Sequence, residues 1–92
     1  MIKLVVKKDG SKEPFDAGKI NKAIRLAGQA AGIEEPRIEE VIKVVLAKVF
    51  QLGEGKEEIA SSQIKETVLE ELDVVEPSIS ASWREYDQNK KA

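Results

Sequence analysis

The first apolar residues, Ile2, Leu4, Val5 and Val6, form a β-branched run that stops at Lys7-Lys8-Asp9-Gly10, the pattern of a strand running into a tight turn. Lys12 to Phe15 reads as the return strand. Pro14 has no N–H to give to a ladder, so that strand is an edge or ends there. The two together predict a small N-terminal hairpin over residues 2–15, which is marginal in water unless it covers something.

From Asp16 onward the spacing becomes helical. Asp16 stands where an N-cap belongs, and Ile20, Ala23, Ile24, Ala27 and Ala31 share one face before Gly32 stops the helix. Pro36 fits the first turn of a second helix, whose stripe is Ile38, Val41, Ile42, Val45, Val49 and Leu52. Gly53 to Glu58 is polar and glycine-bearing, and predicts an exposed loop. Ser61 or Ser62 can cap a third helix carrying Ile64, Val68, Leu69 and Leu72. Pro77 starts a fourth, with Ile79, Trp83 and Tyr86 on one side, and Asn89 to Ala92 should fray. The predicted helices cover about 16–31, 36–52, 62–72 and 77–88. Four amphipathic helices and one hairpin make an α+β fold, a small N-terminal β-hairpin lid on a four-helix bundle.

Composition narrows the function more than the fold. At 92 residues, 41% hydrophobic and 35% charged, the chain reads as one packed domain over residues 1–92 and leaves no room for a large catalytic interior. It has no cysteine and no histidine, which removes disulfides, thiolate nucleophiles, imidazole bases and most transition-metal sites. The longest apolar run, Val44 to Ala47, cannot span a bilayer, and no stretch near Met1 resembles a signal peptide, so a cytoplasmic location and no membrane partner are expected.

The net charge of −2 conceals an asymmetry. Residues 1–25 carry seven cations against three anions, and residues 26–92 carry eight against fourteen. One basic end on an acidic molecule suits a local anionic ligand better than a nucleic-acid duplex. Alternation along the first strand puts Val5 and Lys7 on one face and Val6 and Lys8 on the other, so ammonium groups flank an apolar strip. A flat base could lie on the valines, with phosphates meeting Lys7, Lys8 and Lys19. No Walker loop, dinucleotide fingerprint or catalytic set accompanies them.

The order Val5-Val6-Lys7-Lys8-Asp9-Gly10, Pro14-Phe15-Asp16, Lys19-Ile20 resembles the opening of the ATP-cone, the nucleotide-sensing domain at the N-terminus of many ribonucleotide reductases. Ile59-Ala60-Ser61-Ser62-Gln63-Ile64 is similar to the family's third-helix start, and Ala81-Ser82-Trp83-Arg84-Glu85-Tyr86 to its closing Ala-x-Tyr-x-x-Tyr-Arg. The resemblance covers nearly the whole chain. Three positions depart from it: Lys8 stands in place of a usual arginine, Trp83 in place of tyrosine, and Asp87 in place of the closing arginine. Lysine keeps the charge at position 8 but not the planar fork. Arg84, Lys90 or Lys91 are the cations available to replace a closing arginine.

The resemblance implies that Lys7 and Lys8 meet the phosphates of ATP or dATP, with Lys19 and Ser61 helping from the helix starts. It implies that Val5, Val6 and Ile20 wall the adenine, Glu13 and Asp16 read its polar edge, and Gln63 and Lys65 lie near the ribose. Magnesium would arrive on the nucleotide rather than on protein side chains. Trp83 and Tyr86 are expected in the core, and Gly10 only in the turn. The family's role implies an allosteric, non-enzymatic domain governing activity or assembly of a ribonucleotide reductase, with reductase subunits or further copies of itself as partners. Two alternatives stand beside it. One is the sensing part of a transcriptional repressor of reductase genes, an arrangement that carries a cysteine-rich zinc ribbon ahead of the cone. The other is a helical interaction module with no nucleotide, for which Lys7 and Lys8 are edge-strand lysines that discourage aggregation.

Overall fold

The computed structural model describes residues 2–91, in the order β1 (Leu4–Val6), β2 (Lys12–Pro14), α1 (Ala17–Ala30), α2 (Glu35–Leu52), β3 (Glu58–Ala60), α3 (Ser61–Val75) and α4 (Pro77–Lys91). Each helix packs on the next and α4 closes back on α1, so the four form an up-down bundle with α1 diagonal from α3. The fold is α+β, as the sequence pattern implies. Among the described residues no helix is long and apolar enough to cross a membrane.

The bundle exists because the helical stripes meet. Ile24, Ile38, Val41, Val45, Val49, Val68, Leu72 and Ile79 are all sealed from solvent, with Ile42 and Ile64 beside them. Each such side chain contributes roughly 1.5–3 kcal/mol by leaving water. Gly28 lets α1 approach α2: a Cβ there would stand 2.8 Å from Ile38 Cγ1. Polar ties sit outside the stripe. Arg25 on α1 reaches Glu35 and Glu39 on α2, and Arg37 on α2 donates to the Val75 carbonyl at 2.8 Å.

The helix ends differ in how they are capped, and neither α2, at Glu34, nor α3 has a side-chain N-cap. Asp16 Oδ1 accepts from Gly18 N at 2.9 Å and starts α1. Gly32, at φ +76°, takes the left-handed turn after its end. Neither Ser61 nor Ser62 caps α3. The N-cap is Ala60, which has no side-chain acceptor, because the chain leaves β3 in extended form and is already helical at Ser61.

The hairpin is also more than a hairpin. Ile59 and Ala60, read from sequence as the approach to the third helix, form β3 with Glu58 and pair in parallel with β1, giving the order β2-β1-β3. The predicted loop therefore ends one residue earlier, at Glu57, whose carbonyl accepts from Lys3 N and Leu4 N at 2.7 and 3.0 Å. β2, with Pro14, is an edge strand. The cross-strand register sets Glu13, Val5 and Ile59 in one row. Ile59 is buried and Val5 packs on the core, so this row faces the bundle. Leu4 and Val6, with their partners Pro14, Lys12, Glu58 and Ala60, face the other way.

Candidate functional site

A small pocket of about 140 Å³ opens where the sheet's inner row meets the N-terminal ends of α1 and α3. Val5, Glu13, Asp16, Lys19, Ile20 and Ser61 line it, together with Pro14, Phe15 and Ile64. The first six come from three separate stretches of chain and are all expected ligand residues. The last three carry no role in the sequence reading, although Phe15 lies inside the Pro14-Phe15-Asp16 triplet and Ile64 shares a helix face with Ser61. Phe15 is steadied from behind by Phe50, edge to face, with ring centroids 6.2 Å apart.

The walls differ in character. Val5, Ile20, Phe15 and Ile64 supply an apolar slot, and Glu13 marks its polar edge. Glu13 is bracketed by two cations, Lys7 Nζ at 3.3 Å from Oε2 and Lys19 Nζ at 3.9 Å from Oε1. One Asp16 oxygen is committed to capping α1. On the α3 side the uncapped first turn leaves backbone N–H groups without a side-chain acceptor beside Ser61. Such a helix start favours an anion, through its N–H groups and the positive end of the dipole.

Lys8 is exposed in the turn after Lys7. That turn is organised by Asp9, which accepts from Ser11 N at 2.9 Å and Ser11 Oγ at 2.6 Å. The Ser11 hydroxyl, then its backbone N–H, hold the Asp9 carboxyl below its usual range. Gly10, at φ +87°, has the turn role expected of it.

Five expected residues are outside the lining, Lys7 and Lys8 after β1 and three more. Val6 is on the outer face of the sheet and is not among the lining residues, although Pro14 of that face is. Gln63 is exposed and outside the lining. Lys65 is ion-paired with Asp87 of α4. Arg84 is not available to replace a closing arginine, because it forks onto Asp73 of α3 at 2.8 and 2.9 Å. Ser80, buried, donates to the same Asp73 at 2.5 Å. The Arg84 hydrogen bond, then that of Ser80, lowers the Asp73 carboxyl to about 2. The side chains of Lys90 and Lys91 lie outside the described residues, as does Ala92; the backbone stays helical through Lys91 rather than fraying from Asn89.

A larger groove, about 360 Å³, runs between α1 and α4. It exists because α1 offers Ala23, Ala27 and Ala30 opposite Trp83 and Tyr86, and small side chains leave the space between the helices unfilled. Tyr86 is 67% exposed there, so it is not a core residue; Trp83 is half-buried against the core. By size the groove is the more capacious of the two, yet Lys19 is the one expected ligand residue that borders it. The smaller pocket has the convergent polar groups, and these make it the candidate site. Among the described residues no group of three or more acidic side chains could hold a metal ion.

The family model described as the ATP cone domain matches residues 3–92. Among curated proteins, the transcriptional repressor NrdR of Thermomicrobium roseum is 38% identical over 69 residues, covering 75% of this chain and 42% of that protein. The transcriptional repressor NrdR of Maricaulis maris is 37% identical over 68 residues, covering 74% of this chain and 41% of that protein. The transcriptional repressor NrdR of Lactobacillus helveticus is 34% identical over 87 residues, covering 90% and 55%. The chain thus spans about half or less of the length of these relatives.

Proposed function

This chain belongs to the ATP-cone domain family, and from that premise we propose that it reads the cellular balance of ATP and dATP for a longer transcriptional repressor. It is a regulatory domain and not an enzyme. The observation that carries the reading is the convergence of Val5, Glu13, Asp16, Lys19, Ile20 and Ser61 on one pocket with an uncapped helix start beside it.

In this reading adenine lies in the slot of Val5, Ile20, Phe15 and Ile64, with Glu13 and the uncommitted Asp16 oxygen at its polar edge. The pocket's 140 Å³ is below the roughly 300–1,000 Å³ that enclose a drug-sized ligand, so the sugar and phosphates lie at its mouth. There Lys7, Lys8 and Lys19, with the α3 backbone N–H groups, meet the negative charge. Any magnesium is carried by the phosphates. Val6 and Gln63 take no part, and Lys65 belongs to the phosphate side rather than the ribose.

The sequence pattern favours a ribonucleotide reductase as the parent and a repressor as the alternative; the relatives favour the alternative, since those quoted are transcriptional repressors. A repressor works on genes, so the expectation that nucleic acid is no partner is kept for this segment alone and not extended to a parent. Reductase subunits as direct partners lose their support.

Calorimetric titration with ATP, dATP and GTP tests the reading. Saturable binding of the two adenine nucleotides, weaker binding of GTP, and recovery of unhydrolysed ATP are expected. No adenine-nucleotide binding would leave the interaction-module alternative.

A further inference from the structure

The cations around the pocket mouth are not idle. Glu13 holds Lys7 and Lys19 together, and among the described residues Asp87 holds Lys65. Lys65 lies one helical turn beyond Ser61 on the same face of α3, and Ser61 lines the pocket. Asp87 lines the α1–α4 groove next to Lys19, and Lys19 borders both cavities. The Lys65 to Asp87 pair therefore links the helix that brings Ser61 to the pocket with the groove that shares Lys19 with it.

We propose that Asp87 is a built-in competitor for the phosphates: in the ligand-free domain it occupies Lys65, and a bound nucleotide recruits Lys65 only by displacing the Asp87 carboxylate. This rests on the pocket's being the adenine-nucleotide site. Glu13 is a different kind of partner. It serves two lysines at once and shares its row with Val5, so it can turn toward a base while either cation moves to a phosphate. Among the described residues Asp87 has one partner, and it is the more enclosed member of the pair at 27% exposure. Its opposition grows with the charge of the ligand and is absent for an uncharged nucleoside. Asp87 thereby sets how steeply affinity climbs from adenosine through AMP and ADP to ATP.

Titrations of adenosine, AMP, ADP and ATP into the wild type, Asp87→Asn, Lys65→Gln and the double variant test this. Asp87→Asn should tighten ATP binding by about three- to tenfold, between the worth of an exposed ion pair and that of a charge-assisted hydrogen bond. The gain should shrink along ADP and AMP, vanish for adenosine, and disappear when Lys65→Gln is added. The pair is partly exposed, so melting temperature should change little and report that each variant is folded. Equal ATP affinity in the wild type and Asp87→Asn overturns the proposal. So does an equal gain for adenosine, which would mean a reshaped pocket, or a gain that survives Lys65→Gln, which would mean simple repulsion. These outcomes leave ATP binding intact; failure of every variant and the wild type to bind adenine nucleotides removes the pocket assignment as well.

Discussion

Val5 of β1 and Ile59 of β3 are partners in a parallel ladder, and α3 begins two residues after Ile59. A hairpin alone would be a loosely attached lid. This pairing instead ties its inner strand to the bundle through the main chain, and burial of Ile59 reinforces the tie. β2, the other edge strand, carries Glu13 and Pro14 and has no buried residue to anchor it.

Amide exchange should follow that division. In the ligand-free domain the amides of β1 and β3 should exchange slowly, and those of residues 11–13 faster, because an edge strand opens without disturbing the core. Saturating ATP should slow residues 11–13 selectively and raise the melting temperature, by about 2.7 kcal/mol of linkage at a hundredfold excess over Kd. Uniform protection along β1 and β2 without ligand would mean that β2 is no moving part.

Lys7 and Lys8 should carry much of the electrostatic grip on the phosphates. Replacing both with alanine should weaken ATP binding by at least about tenfold, given the worth of charge-assisted contacts, while adenosine binding changes little. Added salt should weaken ATP binding in the wild type and do so less in the variant. Unchanged ATP affinity in a folded double variant takes these lysines out of the site.

The clasp of Asp73 with Arg84 and Ser80 gives a pH signature. The carboxyl sits at about 2 in the folded domain against 3.8 otherwise, so its contribution to stability is complete above 3.8 and is lost as pH falls through about 2. Asp73→Asn should lower the melting temperature at neutral pH, and the gap to the wild type should close as the solution is acidified across that interval. The group is half exposed, so the gap should be modest. A gap that stays constant down to the lowest pH would show that Asn disturbs packing and not charge.

Gly53 is the most closely packed of the glycines. A Cβ there would stand 2.1 Å from Cγ1 of the buried Ile2, so Gly53→Ala must push Ile2 out of the core or shift the end of α2. A cost of about 1–3 kcal/mol is expected from urea unfolding. Ile2→Ala should relieve the clash, making the double variant more stable than the two single losses added together. Strict additivity would place the cost of Gly53→Ala elsewhere.

How much of this is legible in sequence depends on how local each signal is. Asp16, Gly32 and Pro36 act within their own turns, and the stripes of α2 and α3 need only helical spacing, so these elements lie near where the pattern puts them, although α3 runs on to Val75, past its predicted end at 72. β3 is not legible: three residues, Glu58, Ile59 and Ala60, have no period of their own and become a strand because β1 offers them an open edge. The missing Ser61 cap has the same cause. Neighbouring residues of one strand point to opposite faces, and the burial of Ile59 shows that Val5, not Val6, takes the inner row beside the pocket. Tyr86 has the spacing of a core residue, but the alanines of α1 opposite it fill too little space to cover it. Composition alone rules out imidazole and thiolate chemistry; it cannot say that Lys65 is already held by Asp87, which joins residues far apart in the chain.

Because β3 runs into α3 with no residue between them, the sheet and that helix form a single lever. At about 1.5 Å per residue the 15 residues of α3 span about 22 Å. A tilt of the sheet by about 5°, small enough to preserve every ladder hydrogen bond, would swing the far end of α3 by about 2 Å at that length. Val74, 79% exposed, rides on that end. On the proposed reading, a nucleotide seated beside the β3–α3 junction would move that end, where a neighbouring surface would register it.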